Sequence, residues 1–192
     1  MKELFGNLKG GRIYAAASRP GVDKTLFCLT FATFVANKGS EVLYLSDSLT
    51  EEEFDSYLEK MPLVTPNVVF KRAFHLHRQK LETLLDEGSY DYLVLDPFDI
   101  YAYDIDMGDL KEIAVEKGMD IILTKNVLRL PLDGSRKHHT LSDIKFLDKK
   151  VGAKFMSYTD IILFLDQDPE TSQLKARVAK NLFGRIGYTI PL

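Results

Sequence analysis

Eight residues near the start of the chain carry a pattern that points to phosphate chemistry: Ser18-Arg19-Pro20-Gly21-Val22-Asp23-Lys24-Thr25. A phosphate-binding loop reads G-x-x-x-x-G-K-[ST]. Its backbone N–H groups cradle the phosphates at a helix N-terminus, its lysine reaches the terminal phosphates, and its last hydroxyl holds Mg²⁺. Lys24 and Thr25 fit this pattern, whereas Ser18 and Asp23 stand where the two glycines belong. Asp23 is the more consequential departure, because it adds bulk and negative charge beside a polyanion. Two unit charges ~4 Å apart at an effective dielectric of 20 repel by about 4 kcal/mol, roughly three orders of magnitude in affinity. That repulsion falls away if the carboxylate turns aside or if Mg²⁺ bridges it to the phosphates. Two readings therefore stay open. In one, Arg19, Pro20, Gly21, Val22, Asp23, Lys24 and Thr25 contact ATP and Mg²⁺. In the other, the loop keeps its shape and binds no nucleotide.

A second acid supports the first reading. The apolar run DYLVL ends at Asp96, and an acid at the end of a buried strand can steer Mg²⁺ together with Thr25. The competing role is a cap on the turn that Pro97 favours. No group of Cys, His and acidic residues has metal-ligand spacing. The lone cysteine, Cys28, falls at core spacing on a helix, and His75, His77, His138 and His139 read as helix or loop residues.

The elements that must position these residues follow from the apolar periodicity. Strands are expected over 11–17, 41–45, 68–71, 91–95, 119–124 and 160–165. Helices are expected over 24–38, 48–58, 75–87 and 108–117, with a further one within 142–157. Thr50 and Glu53 form a capping-box pattern at the start of the second helix. Residues 174–180 and 187–190 read as a hairpin around 181–186. Continuous apolar strands alternating with helices imply a mostly parallel sheet covered on both faces. The last two strands extend it antiparallel at one edge. The expectation is an α/β fold of RecA-like P-loop type, with residues 1–192 as one domain.

The same pieces, in the same order, resemble the C-terminal ATPase domain of DnaB-type replicative helicases, within the wider RecA and KaiC group. The residues that carry the resemblance are GGRIYAAASRPGVDKT at 10–25, VLYLSDSLTEEEF at 42–54, Asp96, DIILFL at 160–165 and KNLFGRIG at 180–187. It implies that Asn126 stands for an amide that senses phosphate and that Lys180 belongs to the tail reaching a neighbouring subunit's nucleotide. It also exposes losses. Ser48 occupies the place of the glutamate that activates water. Asp47 is adjacent, but one step along a strand end turns the side chain away. Leu182 occupies the place of the arginine finger, which alone is commonly worth about 10³ to 10⁵ in rate. No catalytic residue is assigned, and the expected ATPase activity is weak or nil.

The chain has 192 residues, 45% hydrophobic and 28% charged, with a net charge of −3. These values suit a soluble globular protein. No apolar run is long enough to cross a bilayer, and residues 1–9 lack the apolar core of a signal peptide. A cytoplasmic protein without a membrane role is expected. The segment 129–154 is locally basic, with Arg129, Arg136, Lys137, Lys145, Lys149, Lys150 and Lys154, which reads equally as a solvated loop and helix face or as a contact for DNA. The expected partners are further copies of the chain or a RecA-type or helicase ATPase. Three functions fit: a pseudo-ATPase interaction module, a DNA-dependent ATPase working as a ring, and a KaiC-like regulatory ATPase.

Overall fold

The computed structural model describes residues 10–61, 67–98, 103–127, 141, 144, 149–168, 171 and 173–191. Its strands are β1 (Ile13–Ser18), β2 (Val42–Ser46), β3 (Val68–Arg72), β4 (Tyr92–Leu95), β5 (Asp120–Asn126), β6 (Ile161–Gln167), β7 (Leu174–Asn181) and β8 (Thr189–Pro191). They form one eight-stranded sheet in the order β3-β2-β4-β5-β1-β6-β7-β8. The pairings from β3 to β6 are parallel, and β7 and β8 add antiparallel. β1, β2 and β6 are apolar on both faces, and β1 and β2 are buried along their whole length, as a parallel sheet covered by helices requires.

The helices divide between the two faces. α1 (Lys24–Ala36) and α2 (Glu51–Leu58) pack on one, where Phe27, Phe31, Phe54, Tyr14, Tyr44 and Ile122 share a core. α3 (Arg78–Asp86), α4 (Met107–Lys117) and α5 (Lys149–Tyr158) cover the other, through Leu81, Leu85, Leu110, Ile113 and Phe155. The connection from β1 turns to one face and that from β4 to the other. This is the arrangement that opens a crevice at the carboxyl ends of the strands.

Local chemistry sets the helix ends. Thr50 and Glu53 close the expected capping box on α2, and Asp106 and Asp109 form a second one on α4. α3 begins at Arg78, three residues later than the periodicity suggests. The Ala73 N–H is taken by the Ser46 carbonyl, His75 has φ +49°, and extended His77 is the N-cap. α5 and the hairpin fall where they are expected, and the parallel start and antiparallel end of the sheet match the expected fold class.

Two glycines fix the entry to β1. Gly118 ends α4 at φ +64°, a left-handed conformation that a Cβ penalises. Gly10 lies so close to the Gly118 carbonyl that a Cβ on it would collide with backbone. Gly118→Ala is expected to lower stability by about 1–2 kcal/mol through conformation alone, since nothing else is near that position. Gly10→Ala should cost more, because two backbone segments must separate. Urea unfolding midpoints of the two variants check this, and the reverse ranking would contradict it.

Candidate functional site

The crevice at the carboxyl end of β1 is built around the loop from Ser18 to Lys24. Gly21 takes φ +93°, a turn that only glycine makes without strain. Asp23 is the N-cap of α1, and its Oδ1 accepts the Leu26 N–H at 2.8 Å. The carboxylate thus sits on the positive end of the helix, where the first amides lack intrahelical partners. Two further loop amides also have acceptors within the chain: Val22 N–H donates to the Arg19 carbonyl at 3.3 Å and Lys24 N–H to the Val22 carbonyl at 2.9 Å. The amides of 22, 24 and 26 are therefore already engaged by the loop's own oxygens. Lys24 Nζ donates to Ser18 Oγ at 3.3 Å, so Ser18 in place of glycine gives the lysine an intrachain partner. Burial pulls the Lys24 ammonium below its ordinary range, against the opposing pull of Asp96.

Asp96, 2% exposed, follows β4. Its Oδ2 accepts hydroxyl bonds from Thr25 and Tyr44, each at 2.7 Å, and its Oδ1 accepts Thr124 at 2.8 Å. Thr25 opens α1, Tyr44 lies on β2 and Thr124 on β5, so one carboxylate joins the helix to the strands on either side of β4. Burial pushes the Tyr44 phenol well above its ordinary value, with Cys28 and Asp96 adding to it. Tyr44 therefore stays a donor at neutral pH. Thr25 and Asp96 are hard oxygen donors of the kind Mg²⁺ takes, and they meet as the sequence pattern requires. As a metal pair they fit. The anion cradle fits less well, because Asp23 and two loop carbonyls already accept three of its amides, those of Val22, Lys24 and Leu26.

The other expected residues divide between two ends of the sheet. Asn126 ends β5 directly opposite Ser18, beside the loop and exposed. Arg19 pairs with Asp166 at 3.5 Å on the surface, a contact worth under about 1 kcal/mol. Pro20 and Gly21 are exposed, and Val22 packs toward the α1-side core. Ser48 takes part in a small hydroxyl turn, its N–H and Oγ both meeting Ser46 Oγ at 3.2 Å.

Lys180 lies elsewhere. It pairs with Ile162 near the amino end of β6, the end of the sheet away from the loop. Its Nζ donates to the carbonyls of Met156 and Thr159, closing the C-terminal end of α5. Leu182, at the position resembling the finger, is 59% exposed. Arg129, Arg136, Lys137 and Lys145 of the basic segment fall outside the described residues, and Lys154 of that segment pairs with Asp106 at 2.7 Å.

Tyr44 and Thr124 were not among the expected site residues. Tyr44 sits inside an apolar run, and its sequence signal was a phenol that cannot be buried without a partner. Thr124 closes another apolar run with a hydroxyl at the same level as Asp96. Removing either donor leaves a buried carboxylate oxygen short of a bond, which costs about 1–3 kcal/mol. Tyr44→Phe and Thr124→Val are each expected to lower the unfolding midpoint accordingly while far-UV circular dichroism stays unchanged. Wild-type stability in both would contradict the assignment.

No protein-family model matches the chain. The DNA repair protein RadA of Streptococcus pyogenes is 23% identical over 187 residues, covering 94% of this chain and 39% of RadA. The chain therefore spans about two fifths of the curated relatives it matches. Among solved structures, a DnaB-like replicative helicase superposes with a TM-score of 0.77 at 16% identity, covering all of this chain and 58% of the other. The flagellar accessory protein FlaH of Methanocaldococcus jannaschii gives 0.70 at 15%, covering 99% and 88%. The RadB recombinase gives 0.67 at 15%, covering 99% and 90%. With its mostly parallel sheet, its loop between β1 and α1 and its antiparallel C-terminal hairpin, the chain has the RecA-like P-loop fold that these proteins share.

Proposed function

We propose that the chain is a cytoplasmic RecA-fold module of DNA metabolism that binds ATP weakly and hydrolyses it slowly or not at all, acting through association with copies of itself or with a RecA-type or helicase ATPase. The observation that carries this reading is the loop's self-satisfaction, with Asp23 on the Leu26 N–H and Val22 and Lys24 bonded within the turn. A phosphate would have to displace a carboxylate from the helix N-terminus and then remain near it. Ser48 and Leu182 in place of a water-activating acid and a finger support the same reading. The names of RadA and of the DnaB-like helicase supply the DNA context. Among the described residues no helix is long and apolar enough to cross a membrane.

One observation favours a second reading, a working ATPase: Thr25 and Asp96 remain paired at 2.7 Å where they would hold Mg²⁺. Titrating a labelled ATP analogue with Mg²⁺ into wild type, Asp23→Asn and Asp23→Gly separates the two. The expected result is weak or absent binding by wild type and a gain of up to about three orders of magnitude in Asp23→Gly. Asp23→Asn should recover the share due to charge. Replacing an Asp cap by Gly costs roughly a few tenths of a kcal/mol, so the variant folds. Tight wild-type binding, unchanged in both variants, would establish the second reading instead.

A further inference from the structure

The turn between β3 and α3 alternates buried and exposed residues. Ala73 and Leu76 are fully buried, while Arg72, Phe74, His75 and His77 point outward. Hydrogen bonds pin the turn from both sides. Ala73 N–H donates to the Ser46 carbonyl at 3.0 Å, and Asp104 N–H donates to the Leu76 carbonyl at 2.9 Å. His75 is held at φ +49°, the one non-glycine residue with positive φ among those described. Such strain persists only where the surroundings impose it, and it concentrates at functional positions. Its effect here is to present Phe74 outward, 47% exposed, on a rigid base.

The charge around this ring is selective. The Arg72 guanidinium lies 4.7 Å from the Phe74 centroid, and Lys80 Nζ donates to the Phe74 carbonyl at 2.7 Å. The neighbouring cations are neutralised: Lys71 by Glu87, and Arg78 by Glu82, Asp109 and Glu112. Among the described residues no carboxylate pairs with Arg72 or Lys80. Asp104 meets the turn through backbone at His77, and Asp47 follows Ser46, the β2 residue opposite Arg72. An exposed ring flanked by two cations without acidic partners is complementary to a base attached to phosphates. Aromatic side chains serve single strands as stacking platforms, and cations beside them follow the backbone. The turn lies at the carboxyl end of edge strand β3, the end of the sheet that holds the β1–α1 loop, with β2, β4 and β5 between.

We propose that this turn is a contact site for single-stranded nucleic acid, with Phe74 stacking on a base and Arg72 and Lys80 meeting phosphates. The proposal rests on the DNA-metabolism part of the function proposed above and is independent of the state of the nucleotide site.

Fluorescence anisotropy of a labelled 20-mer of thymidylate, titrated with the full chain, tests it. Wild type should bind the single strand more tightly than a duplex of the same length. Phe74→Leu, which keeps the apolar bulk but loses the ring face, should bind about 5- to 150-fold more weakly. Phe74→Trp should bind at least as well as wild type. Arg72→Ala should flatten the dependence of log affinity on log salt by about 0.7. Phe74 is exposed, so the variants test contact and not folding. Equal binding by Phe74→Leu and wild type, or no preference for the single strand, overturns the proposal while leaving the DNA context intact. Absence of any oligonucleotide binding by wild type overturns both the proposal and that context. The nucleotide titration judges the phosphate loop separately.

Discussion

A carboxylate that is 2% exposed in the middle of a sheet is stable only with its hydrogen bonds made, and Asp96 draws its donors from three elements. Thr25 comes from the first turn of α1, Tyr44 from β2 and Thr124 from β5. β2 and β5 are the two neighbours of β4 in the sheet, so the sheet order itself brings these groups together. The bond to Thr25 then sets where α1 begins, and with it the path of the loop that leaves β1. The shape of the crevice depends on that single buried charge.

The loop is consequently held in the form of a phosphate cradle whether or not it receives a phosphate. Gly21 keeps the turn, Thr25 keeps its place on Asp96, and Lys24 still reaches across the loop to Ser18. Asp23 changes what the cradle offers. A helix N-terminus attracts an anion through its free amides and its dipole, and the chain supplies that anion itself at Leu26. The cap stabilises α1 by an amount on the order of 1 kcal/mol, the same interaction that opposes an external phosphate. Fold stability and nucleotide affinity are thus in opposition at this residue.

Much of this was legible in the sequence, because parallel strands buried on both faces leave uninterrupted apolar runs, and helix ends leave their capping residues. The loop, Asp96 and the antiparallel tail could be placed for that reason. What escaped was contact between residues far apart in the chain. Nothing local in VLYLS announces that the Tyr44 hydroxyl meets an acid 52 positions on. The two options for the Asp23 side chain could not be resolved without knowing the backbone at the helix start. Lys180, placed by resemblance, has a local contact that the sequence did not announce, closing α5 through two carbonyls. The late start of α3 goes with His75 at φ +49° and the extended cap His77, neither of which a helical apolar pattern announces.

Three amides at the loop and helix start, those of Val22, Lys24 and Leu26, are satisfied from within, and the backbone amide of Leu26 reports on this directly. In a ¹H–¹⁵N correlation spectrum of the wild-type chain, this amide should be protected from hydrogen exchange. It should stay in place when Mg²⁺ and ATP are added at neutral pH. A Leu26 amide that exchanges freely, or one that shifts and saturates at low nucleotide concentration, would show that the cradle is open to phosphate and would contradict the claim.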